Sequence, residues 1–217
     1  MTIDINEHIS AVRRQVGTRT LEAGQARVVT LTRAYGAPVD DVWDACTSVE
    51  RIPRWFLPIT GDLRVGGRYQ LQGNAGGVVE RCDPPRSFAA TWEMGENTSW
   101  IEVRFAATPE GGTTMTLEHV AHVDDEFWER YGPGATGVGW ELGLLGLAGH
   151  LGAAGVPPAE EGEAWALSAE GREFAALSGE AWGEAHVAGG GDPAAARASA
   201  ARTVAFYTGT ASAEDSP

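Results

Sequence analysis

The sequence predicts an α+β domain in which a curved antiparallel sheet wraps round one long helix, followed by a helical extension. Three observations carry this. Five strand-like runs follow one another, "DLRVGGRYQLQG", "GGVVERC", "RSFAATWEM", "SWIEVRFAATP" and "TTMTLEHVAHV", and the short separators "GNAGG", "DPP", "GENT" and "PEGG" favour tight turns. Next, "TGVGWELGLLGLAGHL", residues 136–151, places Trp140, Leu144, Leu147 and Leu151 at helical steps along one stripe. Beyond Leu151 the composition shifts to Ala, Gly and Glu.

The elements follow in order. "DINEHISAVRRQVG" opens with a capping-box pattern, Asp4 and Glu7, and Ile5, Ile9, Val12 and Val16 recur at helical spacing, so an N-terminal helix is expected there. "ARVVTLTRAY", residues 26–35, is β-branched and partly alternating and reads as a strand; after "GAP" a helix starts near Val39 and stops near Pro53. Within the five runs, alternation places Phe88, Ala90 and Trp92 on one face, then Ile101, Val103 and Phe105, then Met115, Leu117 and His119. These sets line the covered face of the sheet. "DDEFWERYGPGA" reads as a loop. In the extension, "GVPPAEEGEAW" reads as a linker and "SAEGREFAALSGEAWGEAH" as a helix with Phe174, Leu177, Ala181 and Ala185 on one side. "DPAAARASAARTVAFY" is a second helix, started by Asp192 and Pro193. The last residues, "TGTASAEDSP", read as disordered. The resulting division is 1–23 as helix and lead-in, 24–151 as the main domain and 152–217 as the extension.

Composition excludes several function classes. At 217 residues with 43% hydrophobic content, one sizeable core is expected. The net charge is −14, and both residues 1–151 (20 acids, 13 bases) and 152–217 (10 acids, 3 bases) are acidic, so neither nucleic acid nor an anionic membrane is an expected partner. All 16 basic residues are arginine, which removes a Walker-loop lysine and Schiff-base chemistry. Cys46 and Cys82 have no metal-ligand spacing, and "MTIDINEHIS" lacks the features of a signal peptide, so a cytoplasmic protein with two buried free thiols is expected.

Gly137, Gly139 and Gly143 form a loose dinucleotide fingerprint, but that motif needs a strand leading into it, and "FWERYGPGA" is not one. A membrane span needs about 20 uninterrupted apolar residues; Glu141 and His150 interrupt this run. "HVAHVDD" holds potential metal ligands, but His119 and His122, three apart on a strand, face opposite sides, so no metal and no cofactor is expected. Eight tryptophans are many for this length, and Trp43, Trp55, Trp92, Trp100 and Trp140 are among those in the main domain, where they fill a core or line an apolar cavity.

"RVVTLTRAYGAPVDDVWDACTSVERIPRWF", "GDLRVGGRYQL", "ERCDPPRSFAATWE", "TTMTLEHVAH" and "GVGWELGLLGLAGHL" resemble, in that order, the START-like superfamily known as SRPBCC. More narrowly they resemble its branch named after the activator of the heat-shock protein 90 ATPase. The resemblance implies a helix-grip fold and a deep apolar cavity with no assigned reaction. It makes "VWDA", "RWF", "GGRY" and "PPRSFAATW" structural signatures, none of them catalytic.

The expected function is binding of an apolar or amphipathic small molecule between the sheet and helix 136–151. The ligand-binding candidates are Trp55, Phe56, Tyr69, Trp92, Val103, Leu117, His119, Trp140 and Leu144. An alternative is a polyketide cyclase or aromatase in which an inward His119 or Glu118 moves a proton, although no nucleophile with a base and no carboxylate pair is present. A third reading is a co-chaperone-like interaction protein. The eukaryotic activator joins this domain to a separate N-terminal domain absent from this sequence, so a chaperone partner is not expected. The extension has three roles open to it, packing on the sheet, covering the cavity or forming a homodimer, with docking on its own domain the leading expectation.

Overall fold

The computed structural model describes residues 3–211. An eight-stranded antiparallel sheet has the order β1-β2-β8-β7-β6-β5-β4-β3. Its strands are β1 (Val12–Leu21), β2 (Gly24–Tyr35), β3 (Ile59–Gly61), β4 (Arg68–Leu71), β5 (Gly76–Asp83), β6 (Ser87–Met94), β7 (Asn97–Ala107) and β8 (Thr113–Ala121). From β3 to β8 the strands form the expected meander, and β2 closes against β8. The alternation holds: Ala90, Ile101, His119 and Val29 form one inward row across four strands, and Phe88, Val103, Leu117 and Leu31 form the next.

Helices α1 (Ile5–Ser10) and α2 (Val39–Thr47) precede the meander, and α3 (Asp125–Tyr131) and α4 (Gly134–His150) follow it. The extension holds α5 (Gly162–Ala166), α6 (Ala169–Ala188) and α7 (Pro193–Tyr207). Helix α4 lies across the sheet with the extension on its far side, so the extension docks on its own domain.

Several expectations need correction. The Asp4 side chain does accept from the Glu7 N–H, but the helix ends at Ser10 and the chain continues as β1, paired along its length with β2. Val12 and Val16 fit the helical period and the strand period equally, and Arg14 between them shares their inward face, so the ladder with β2 decides. The break placed at residue 24 therefore falls inside a hairpin. "DLRVGGRYQLQG" is not one strand: residues 62–67 form the loop between β3 and β4. The stretch read as a loop at 124–131 is α3, whose N-cap Asp124 accepts from the Phe127 N–H and whose end is set by Gly132 at φ +60°. Part of the linker is α5. The buried face of α6 runs through Phe174, Ala175, Ser178, Gly179 and Trp182, leaving Leu177, Ala181 and Ala185 half-buried. Small residues win that face because Gly179 admits Val204 and Gly183 admits Ala200 of α7. Of the tail read as disordered, 208–211 are a turn and its exit, while 212–217 lie outside the described residues.

Candidate functional site

Between the sheet and the first half of α4 lies a cavity of about 140 Å³. Strands β4 to β8 form its floor through inward residues including Tyr69, Leu71, Val79, Ala90, Ile101 and Leu117. Trp140 is its roof, and Trp55 and Phe56, after a short 3-10 turn at Ile52–Arg54, form an end wall. Glycines let the helix sit this low. Phe56 packs against Gly143, where an added Cβ would stand 3.3 Å from the ring, and the Trp55 carbonyl fills the space a Cβ of Gly146 would need. The other side of α4 is notched for the extension: the Trp182 ring occupies the Cβ position of Gly137, and the Tyr207 hydroxyl comes within 3.2 Å of that of Gly139.

The wall is aromatic, and most of its polar atoms are occupied. Rings of Trp55 and Phe56 lie 5.4 Å apart, Phe56 and Trp140 6.2 Å at 15°, and Trp140 and Trp92 4.8 Å. Trp55 Nε1 donates to the Ala45 carbonyl at 2.9 Å, Tyr69 Oη to the Thr91 carbonyl at 2.6 Å, and Thr47 Oγ1 to the Trp43 carbonyl at 2.8 Å. Burial pushes the Tyr69 phenol well above its ordinary range and the Cys46 thiol up to about 12, so both stay neutral. These donors serve the protein itself, so apart from the Trp92 indole N–H a bound molecule meets apolar surface and ring faces.

His119 stands behind Trp140. The indole N–H of Trp140 can only donate, and it does so to His119 Nδ1 at 2.9 Å. His119 therefore carries its proton on Nε2, which donates to Ser99 Oγ at 2.8 Å, and Ser99 donates onward to the Trp92 carbonyl at 2.9 Å. Burial lowers its pKa to about 4, so it is neutral near pH 7. With both ring nitrogens engaged, His119 fixes the orientation of Trp140.

Seven of the nine predicted ligand contacts, Trp55, Phe56, Tyr69, Trp92, Val103, Leu117 and Trp140, line the cavity together. His119 and Leu144 do not: His119 is one layer behind, and Leu144 is buried in the main core, its carbonyl accepting from Tyr35 Oη. Glu118 faces the opposite side of the sheet, where Arg19 holds it at 2.7 Å. The proton-transfer reading of His119 and Glu118 therefore finds neither group at the cavity wall. Glu141, next to the roof residue, is also turned away: Arg14 of β1 grips it with two bonds of 2.6 Å, and the carboxylate is wholly buried. Burial raises its pKa while Arg14 and the neighbouring Ser178 and Trp182 oppose that rise.

Sequence reasoning missed the far end of the cavity, formed by Cys46, Thr47, Ile52, Leu63, Val79 and Cys82. Leu71 and Tyr69 alternate inward on β4, a signal strong enough to have included Leu71. Both thiols are free, Cys46 buried and Cys82 only half-buried. His122 is exposed beside the Gln25 carbonyl, away from His119, and no group of three or more potential ligands is placed to hold a metal among the described residues. No helix among those residues is long and apolar enough to cross a membrane.

A curved antiparallel sheet gripping a long helix over an apolar cavity defines the helix-grip class. Residues 36–152, more than half of the chain, match the family described as Activator of Hsp90 ATPase homolog 1-like protein, and the chain belongs to that family. It is similar to CalU16 from Micromonospora echinospora in two solved structures. The crystal structure shows 36% identity over 81% of this chain and 98% of that one, TM-score 0.64; the solution structure shows 37% identity over 82% and 97%, TM-score 0.69. Protein MLL2253 from Mesorhizobium loti, 22% identical over 58% of this chain and 96% of its own at TM-score 0.51, shares the fold. No curated protein matches the chain.

Proposed function

We propose that the protein binds a small, neutral, ring-bearing apolar molecule in the cavity under Trp140. The observation that carries this reading is the wall itself: aromatic and aliphatic surface on which the N–H and O–H groups of Thr47, Trp55, Tyr69 and Trp140 are turned to partners within the protein, leaving the Trp92 indole N–H as the one such group without a protein partner among the described residues. An apolar cavity of about 150 Å³ takes a benzene-sized guest, and the 140 Å³ here is of that size. A carboxylate or a polyhydroxylated ligand would lose its hydration with little in return. Within this reading the protein works in the cytoplasm, where its two free thiols stay reduced, and needs neither nucleic acid nor membrane.

Titration calorimetry with benzene, naphthalene, phenol and benzoate tests the proposal. The two hydrocarbons are expected to bind with a negative heat-capacity change, and benzoate is expected to bind far more weakly than benzene. Benzoate binding more tightly than benzene would contradict it.

A further inference from the structure

Resting on that reading, we propose that the ligand reaches the cavity between the C-terminal end of α2 and the β3–β4 loop. Leu63 is the side chain that must move, and the rim disfavours anions. A surface cleft formed by residues 47–50 and 61–64 lies outside the cavity, and Thr47 and Leu63 stand on the walls of both. They are the partition between solvent and interior.

The other boundaries resist opening. Across β6, β7 and β8 the floor is a continuous hydrogen-bonded ladder, and the roof is pinned through the Trp140–His119 bond and the glycine seats of Phe56 and Trp55. The loop is built differently. Its base is tied by the Asp62 N–H to the Arg68 carbonyl and the Gly66 N–H to the Val79 carbonyl, both at 2.8 Å, while Gly61 and Gly66 hold positive φ at its two ends. Between these ties the Arg64 N–H donates to Asp62 Oδ1 at 3.0 Å and the Gly67 N–H to the Arg64 carbonyl at 2.8 Å, so in the proposed opening the segment that carries Leu63 swings as one turn. Val49 and Val65, 47% and 59% exposed, flank the cleft and present apolar surface to solvent without being cavity residues.

The rim charges are Glu50, Asp62 and Arg64. Arg64 is spent on Asp62, with Nε and Nη2 contacts of 2.9 and 2.7 Å, so Glu50 leaves the rim negative. A neutral ring passes; a carboxylate meets like charge.

Fluorine NMR exchange measurements with fluorobenzene as probe test the route. Leu63→Ala is expected to speed association and dissociation together by about tenfold, and Leu63→Trp to slow both, while the Kd moves far less than either rate, as when opening limits binding. Val65→Arg, exposed and outside the cavity, is expected to leave fluorobenzene rates unchanged and to speed association of 4-fluorobenzoate at low salt only. Fluorobenzene bound with association rates indifferent to Leu63, and fluorobenzoate indifferent to Val65→Arg, overturns the route and leaves the binding reading standing. No binding of fluorobenzene to the unaltered protein overturns both.

Discussion

Trp140 and Glu141 are neighbours on one helix, yet they serve opposite sides of α4 and do so by different physics. On the Trp140 side the helix stands off the sheet, and a neutral chain of hydrogen bonds through His119 and Ser99 holds an aromatic roof over a hollow. On the Glu141 side the space is filled: Trp182 enters the Gly137 notch, and Arg14 meets the carboxylate inside the core. A second buried cation, Arg33 of β2, donates to His8 of α1 at 2.7 Å on that same end of the sheet. The comparison separates the two jobs: the β1–β2 end and the extension fix the helix, and the β4–β8 half is free to enclose a guest.

The largest way to break this comparison is at the filled side. Arg14→Met leaves Glu141 buried without its cation and is expected to cost about 3 kcal/mol in chemical denaturation. Adding Glu141→Leu should return most of that loss, because the paired charges contribute less than their separation costs. A double variant as unstable as the single one would show that the pair does more than satisfy itself.

A comparable effect comes from acid on the hollow side. His119 titrates near 6.5 when unfolded and at about 4 when folded, so between these values the unfolded chain holds the extra proton. Stability is therefore complete above the unfolded value and is lost as pH falls through the window from 6.5 to 4, by up to about 3 kcal/mol. His119→Gln should flatten that part of the stability profile measured by urea titration at successive pH values. His8, His150 and His186 are also lowered by burial, so some acid dependence persists in the variant.

A smaller and sharper contrast uses two glycines of α4. Gly137→Ala drives a methyl into the Trp182 ring and should cost about 1–3 kcal/mol. Gly143→Ala meets the edge of Phe56, which can shift toward the cavity, so the helix preference for alanine of about 1 kcal/mol should offset most of the strain. Equal losses at the two positions, read from thermal unfolding, would mean that the cavity side is as tightly filled as the other.

How much of this was legible follows from which signals are local. Period-two alternation in "RSFAATWEM" and "TTMTLEHVAHV" puts the inward rows in view, and the Trp140–Leu144–Leu147 stripe marks the gripping helix. β1 was hidden because Val12 and Val16 satisfy two periods; α6 was legible as a helix, but its buried face was misplaced because, beside Phe174 and Trp182, that face is made of Ala175, Ser178, Gly179 and Gly183, which carry little hydrophobic signal. Glu118 and Glu141 could not be aimed from sequence, since each is aimed by an arginine more than ninety residues away. The Trp140–His119 bond, twenty-one residues apart across two elements, and the cavity end at Leu63 and Val79 were likewise settled only by tertiary structure.

The central claim, that the space under Trp140 is a binding site for neutral rings, is tested most directly by thermal unfolding with and without naphthalene in the unaltered protein and in Ala90→Leu, which fills the floor of the cavity. A rise of about 5–10 °C is expected for the unaltered protein at a hundredfold excess over Kd, and none for a folded Ala90→Leu. No rise in the unaltered protein, or an equal rise in both, would contradict it.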